Sequence, residues 1–217
     1  MKSRCSPIHS PVPFAVAKLI AIVGNSGAGK TTLTRQLCKH GSFVTGLEQI
    51  AERPFQALFA QELYRYALPN QIDYLLLRAE QEWVIRQGTV TGIQDGGLEM
   101  DFHVFARLFF EKGYLSHTEY QLCARLYGFF RQLLPPPDLI IHLVAPLEVI
   151  TQRYRRRNRS LEIARLDDLA RMETLLRDWL RTVTTTPVLV VNAEADDPTY
   201  TQQVERILAE IPSLFSQ

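Results

Sequence analysis

The sequence predicts an α/β fold built on a five-stranded parallel sheet with helices on both faces. Two observations carry that prediction. First, five apolar, β-branched segments (15–23, 42–47, 88–94, 138–144 and 187–192) are separated by long helix-compatible stretches, and strands that alternate with helices pair in parallel. Second, Gly24-Asn25-Ser26-Gly27-Ala28-Gly29-Lys30-Thr31 fits G-x-x-x-x-G-K-[ST], a phosphate-binding loop that requires a strand before it and a helix after it. The 217 residues suffice for a substantial core, and 46% apolar with 22% charged residues suits an ordinary globular chain.

Taken in order, residues 1–14 read as an irregular leader, because Pro7, Pro11 and Pro13 break any signal-like apolar core. The remaining residues, 15–217, read as one domain. Val16 to Val23 is apolar apart from Lys18 and supplies the strand before the loop. Loop amides, from Gly24 through Thr31 and Thr32, are expected to cradle phosphate at a helix N-terminus. Lys30 should reach the β- and γ-phosphates, and the Thr31 hydroxyl should hold Mg²⁺. Helices are expected at 31–40, 55–66, 70–86, 101–133 with a break near Gly113, 147–157, 163–182 and 198–211.

In parallel sheets of this kind ligands lie beyond the carboxyl ends of the strands, so the residues there are the site candidates. Glu48 ends the second strand segment and is placed to accept a proton from a substrate hydroxyl; a solvated loop glutamate is the plainer reading. Asp95 ends the third and reads either as an acid that supports Mg²⁺ or as the start of an Asp95-Gly96-Gly97 turn. Arg153, Arg155, Arg156, Arg157 and Arg159 form a basic cluster after the fourth strand. Guanidinium groups bind phosphate bidentately and spread transition-state charge, which suits a lid near 153–162; a solvated helix face or a weak nucleic-acid patch is the alternative. Most aromatic residues between Phe55 and Phe110, Tyr74 and Phe105 included, are assigned to the core, with one or two left open to stack on a nucleobase, and His142 to a hydrogen-bonded strand position.

The bulk numbers exclude several function classes. A net charge of +1 implies no general pull toward nucleic acid or membrane, and no apolar run has the length of a membrane span. Cys5, Cys38 and Cys123 form neither a disulfide framework nor a metal knuckle, which points to a reducing, cytoplasmic setting.

From about residue 17 onward the chain resembles the deoxynucleoside kinase family, of the deoxyguanosine/deoxyadenosine kinase type. The resemblance rests on the phosphate loop, on Glu48 six residues before Pro54-Phe55, on Ala67-Leu68-Pro69-Asn70-Gln71-Ile72 followed by Leu75-Leu76-Leu77-Arg78, on Pro136 to Ile141, on Arg153-x-x-x-Arg157-x-Arg159, and on Leu175 to Leu180. It implies a three-layer P-loop fold with strand order 2-3-1-4-5, and ATP-dependent phosphorylation of the 5′-hydroxyl of a deoxynucleoside. It also implies Glu48 as general base, Gln71 at the nucleobase, Arg78 near the sugar or the catalytic carboxylate, and Arg153, Arg157 and Arg159 in the lid. Members of the family are commonly dimers, so a homodimer is expected.

One departure stands out. After the third-strand acid the family carries arginine and serine, then a later aspartate; here Gly96-Gly97 follow Asp95, and Asp101 is the later aspartate. The reaction centre therefore lacks one positive charge, for which Arg53 is the candidate replacement. Two other readings stay open: a nucleotide-binding regulatory protein of the same fold with weakened catalysis, and a kinase of another small acceptor.

Overall fold

The computed structural model describes residues 17–46, 53–157 and 164–215. The leader 1–14, Glu48 and Arg159 lie outside the described residues. Five parallel strands, β1 (Leu19–Gly24), β2 (Val44–Gly46), β3 (Gly92–Asp95), β4 (Leu139–Val144) and β5 (Val188–Asn192), stand in the order β2-β3-β1-β4-β5. All six residues of β1 are buried. That follows from its central place and explains why it reads as a continuous apolar run. Parallel register sets Ile22 beside Asp95 and Gly24 beside Leu143. The phosphate loop and the end of β3 therefore leave the sheet at the same edge.

One face of the sheet carries α1 (Lys30–His40) and α9 (Thr201–Leu214). There Ile20, Ile22, Ile93, Ile141 and Leu143 interleave with Leu33, Leu37, Val204 and Ile207. The opposite face turns Ala21, Val23 and Ile140 toward a thicker helical layer. That layer contains α2 (Pro54–Gln61), α3 (Leu63–Arg86), α4 (Gly97–Met100), a π-helical turn (Asp101–Ala106), α5 (Arg107–Glu111) and α6 (His117–Leu133). After β4 come α7 (Leu147–Arg157), a 3₁₀ turn (Leu166–Asp168) and α8 (Leu169–Leu180).

Several expected elements shift, the first strand among them, which begins at Leu19 rather than at residue 15. The third strand begins at Gly92 rather than at residue 88, because Gly88 donates to the Ile85 carbonyl at 3.0 Å and closes a turn after α3. The helices expected at 55–66 and 70–86 part at Glu62 instead, and α3 runs through Pro69. Proline removes a backbone donor and normally ends a helix. Here burial of Ala67, Gln71, Tyr74 and Leu75 around it outweighs that loss. The expected helix 101–133 starts earlier, at Gly97, and winds as a π-turn from Asp101, a distortion that often marks functional sites. It restarts after Gly113 at Ser116, whose hydroxyl and Glu119 form a capping box. Among the described residues no helix is long and apolar enough to cross a membrane.

Candidate active site

The phosphate loop wraps the start of α1. Gly29 caps that helix with φ +101°, and a Cβ there would lie 2.1 Å from the Tyr200 hydroxyl, so only glycine fits. Asn25 braces the loop from behind. Its buried amide donates to the Leu169 carbonyl at 2.8 Å and to Glu173 at 3.0 Å, while its oxygen accepts from the Ser26 amide at 2.8 Å. Lys30 Nζ donates to the Gly24 and Asn25 carbonyls, each at 3.0 Å. Ser26, Gly27, Gly29, Lys30, Thr31 and Thr32 line a cavity of about 450 Å³, whereas Gly24, Asn25 and Ala28 stand behind it.

At the cavity floor the Thr31 hydroxyl donates to the Asp95 carboxylate. Two hard oxygen groups side by side, next to a phosphate loop, suit Mg²⁺. Asp95 is also the first residue of the expected turn: Gly96 and Gly97 follow with φ of +90° and +79°. The turn reading thus describes the backbone of that segment, with the carboxylate facing the loop and the glycines turning the chain into α4.

The half of the cavity away from the phosphate loop is built from α2, α3 and the π-turn, through Gln56, Tyr74, Arg78, Met100, Asp101 and Phe105. Arg78 Nε donates to Asp101 at 2.9 Å, and both side chains are 8% exposed. Tyr74 donates from its hydroxyl to Gln56 at 3.0 Å. Gln71 is buried beneath this layer and does not line the cavity; its Nε2 donates to the Asp101 carbonyl at 2.6 Å. Arg53 does not reach in. Its Nε donates to Asp73 at 2.8 Å, and its Nη2 contacts the same carboxylate and the Asp73 carbonyl.

On the phosphate-loop side, Arg157 and Arg153 both line the cavity but are differently employed. Arg157 reaches over the loop, with Nη2 3.5 Å from the Ser26 hydroxyl. Arg153 donates to the carbonyls of Ala193, Glu194 and Ala195 at 2.6, 3.2 and 2.8 Å, tying α7 to the loop after β5. That loop contributes Asp196, Asp197, Pro198 and Tyr200 to the wall. The Arg156 guanidinium on Asp196, 2.9 Å away, lowers that carboxyl's pKa, and burial raises that of the Tyr200 phenol.

The sequence model of deoxynucleoside kinases matches residues 20–216. The chain belongs to the deoxynucleoside kinase family. The family's deoxyadenosine/deoxycytidine kinase of Bacillus subtilis is 28% identical over 201 residues, covering 91% of this chain and 93% of that protein. The deoxyadenosine kinase of Dictyostelium discoideum is 31% identical over 216 residues, covering 95% and 87%. Among solved structures, the deoxyadenosine kinase from M. mycoides with products dCMP and a flexible dCDP bound superposes with a TM-score of 0.77 at 24% identity, covering 90% of this chain and 99% of that one. It shares the five-strand order and the helical layers.

Within this family framework, sequence reasoning missed Gln56 and the Asp196–Tyr200 loop, and held Tyr74 only as one of several aromatics. Helical spacing held a signal for Tyr74, which lies three residues after Gln71 and four before Arg78 on one face of α3. Phe105 was one aromatic among many until the π-turn aimed it at the cavity. The loop after β5 carried no motif; its place follows from tertiary contacts with Arg153, Arg156, Gln36 and Ala28.

Proposed function

We propose that this kinase transfers the γ-phosphoryl group of ATP to the 5′-hydroxyl of a deoxynucleoside. The bond from the γ-phosphorus to the β-phosphate oxygen breaks, the bond to the 5′-oxygen forms, the hydroxyl proton passes to Glu48, and ADP leaves. The main support is the Thr31–Asp95 contact at the floor of one cavity that joins the phosphate loop to an acceptor half. Loop amides, Lys30 and Arg157 hold the donor phosphates, and Arg159 joins them from the lid. Mg²⁺ held by Thr31 and supported by Asp95 supplies charge neutralisation on the phosphates. Arg153 keeps the donor-side loop in place, Arg78 and Asp101 face the acceptor, and Gln71, expected at the base itself, instead holds the π-turn from beneath through the Asp101 carbonyl.

The same reading includes pairing of two chains in a reducing cytoplasm. Leu76, Trp83 and Val84 of α3 and Leu122, Phe129 and Leu133 of α6 are exposed apolar residues suited to that interface.

The test is turnover with Mg-ATP and each of the four natural deoxynucleosides, using Glu48→Gln as the control. Deoxynucleoside monophosphate should form with the natural chain and fall by about 10²–10⁴-fold in the variant, the usual range for a lost general base. Binding of ATP and deoxynucleoside without product would instead support the regulatory binder.

A further inference from the structure

Two helices hold the phosphate loop from behind, α7 at Gly27 and α8 at Asn25. A Cβ on Gly27 would lie 2.9 Å from the Ile150 carbonyl oxygen, so the loop backbone rests directly on α7. The grip of α8 is polar. Asn25 is 1% exposed, and its NH₂ directs both hydrogens at α8, one to the Leu169 carbonyl at 2.8 Å and one to Glu173 Oε2 at 3.0 Å. Its Oδ1 accepts from the Ser26 amide at 2.8 Å. Turned end for end, the Asn25 side chain would set its oxygen against a carbonyl and a carboxylate, and its NH₂ against an N–H donor. Glu173 thus fixes which end of Asn25 meets the loop.

Asn25 in turn holds the loop groups assigned above to phosphate. Its carbonyl accepts from Lys30 Nζ at 3.0 Å and from the Ala28 amide at 3.1 Å. A shift of residue 25 therefore moves the lysine and the curl of the loop together. A carboxylate is a costly choice for the brace, because behind a polyphosphate site it opposes the charge of the ligand. Among the described residues Asn25 is its hydrogen-bond donor and no ion pair engages it. His142 of β4 is held below its ordinary pKa by burial, against the pull of Glu173, and is neutral at neutral pH. What the carboxylate supplies is a strong acceptor of fixed direction for one amide hydrogen.

We infer that Glu173 is a positioning residue of the donor site, acting through Asn25 to set the phosphate loop that receives ATP. The inference rests on the ATP-binding part of the function proposed above. Glu173 touches neither the donor nor the acceptor. Its removal therefore weakens the loop's hold on phosphate and leaves the nucleoside side of the cavity as it was.

The experiment measures Kd by calorimetry for Mg-ATP and, separately, for the deoxynucleoside that the natural chain binds most tightly. It compares the natural chain with Glu173→Ala, Glu173→Gln, Asn25→Ala and the double alanine variant, with urea unfolding to show that each is folded. Glu173→Ala is expected to weaken Mg-ATP about 10-fold, the usual worth of a hydrogen bond to a charged group, with nucleoside affinity unchanged. Glu173→Gln keeps an acceptor for the Asn25 amide and should recover most of that loss. The double variant should bind Mg-ATP no worse than Asn25→Ala alone, because Glu173 acts through Asn25. If Asn25→Ala does not fold, the comparison of Glu173→Ala with Glu173→Gln decides. Natural Mg-ATP affinity in Glu173→Ala, an equal loss for both ligands, or a glutamine variant no better than the alanine one overturns the inference. A natural chain that binds Mg-ATP but forms no monophosphate overturns the kinase reading alone, since these affinities are read without turnover. A natural chain that binds no Mg-ATP overturns both.

Discussion

The two faces of the sheet are built on different physics. On the α1/α9 face, the core is apolar: Leu33 and Leu37 meet Val204, Ile207 and Ile211 across Ile20, Ile22 and Ile141. Every buried charged side chain among the described residues, namely Arg78, Glu82, Arg86, Glu99, Asp101 and Asp168, belongs to the other layer. There Arg131 of α6 pairs with Glu82 at 2.6 Å, and its Nε stands 2.9 Å from Glu99 without the alignment of a hydrogen bond. Arg86 extends the network to Asp138 at 2.7 Å and to the carbonyls of Pro135 and Pro136. Burial on the first face is non-directional and holds the phosphate loop by bulk packing. The second face buys orientation instead: α3, α4 and α6 are locked at fixed registers, and α3 with the adjoining π-turn presents Tyr74, Arg78 and Asp101 to the cavity.

The sharpest way to break this comparison is to remove a charge from the second face. Arg131→Met strands Glu82 and Glu99 and should cost about 4 kcal/mol, measured by urea unfolding at pH 8. The loss should ease at lower pH, where Glu99 carries a proton. On the first face Ile207→Ala should cost about 3 kcal/mol through cavity formation, with no such pH dependence. If Arg131→Met proved the milder of the two, the second face would be held by apolar contacts after all.

The smallest effect concerns pH alone. Burial pushes the Glu99 carboxyl up from 4.5 to about 7, so the folded chain keeps a proton that the unfolded chain releases. Its contribution makes stability fall as pH rises between those values. His103, stacked on Trp179 and 3.2 Å from the Tyr127 hydroxyl, is lowered by burial from 6.5 to about 4. Its contribution has the opposite sign: stability is lost as pH falls from 6.5 toward 4. The two oppose each other from 4.5 to 6.5. Thermal melts of Glu99→Gln should therefore climb more steeply with pH across that window than those of the natural chain. Parallel curves would remove Glu99 from the account.

Much of the architecture was legible because its signals are local. The phosphate loop needs glycine at fixed positions, and buried parallel strands need β-branched runs, so α1, β4 and β5 fall close to their expected bounds and β1 ends where expected although it begins later, at Leu19. The strand order was reached through resemblance rather than periodicity, and the structure shares it. Misread elements were those in which burial overrode a local rule: α3 continues through Pro69, and α4 begins at the glycines that also read as a turn. Within the site, side-chain partners were the hidden part. Nothing in the spacing of Arg53 and Asp73, twenty residues apart, announces their pairing, nor that of Arg153 with carbonyls some forty residues later.

Local rules were enough for the fold class, the phosphate loop and the place of Asp95 at the end of β3, because backbone conformation and hydrophobic period are properties of neighbouring residues. Which arginine stands where was settled by long-range packing. It bound Arg53 to Asp73, fastened Arg153 to the loop after β5 and set Arg78 on Asp101, since a guanidinium goes to whichever carboxylates and carbonyls the folded chain brings within its reach.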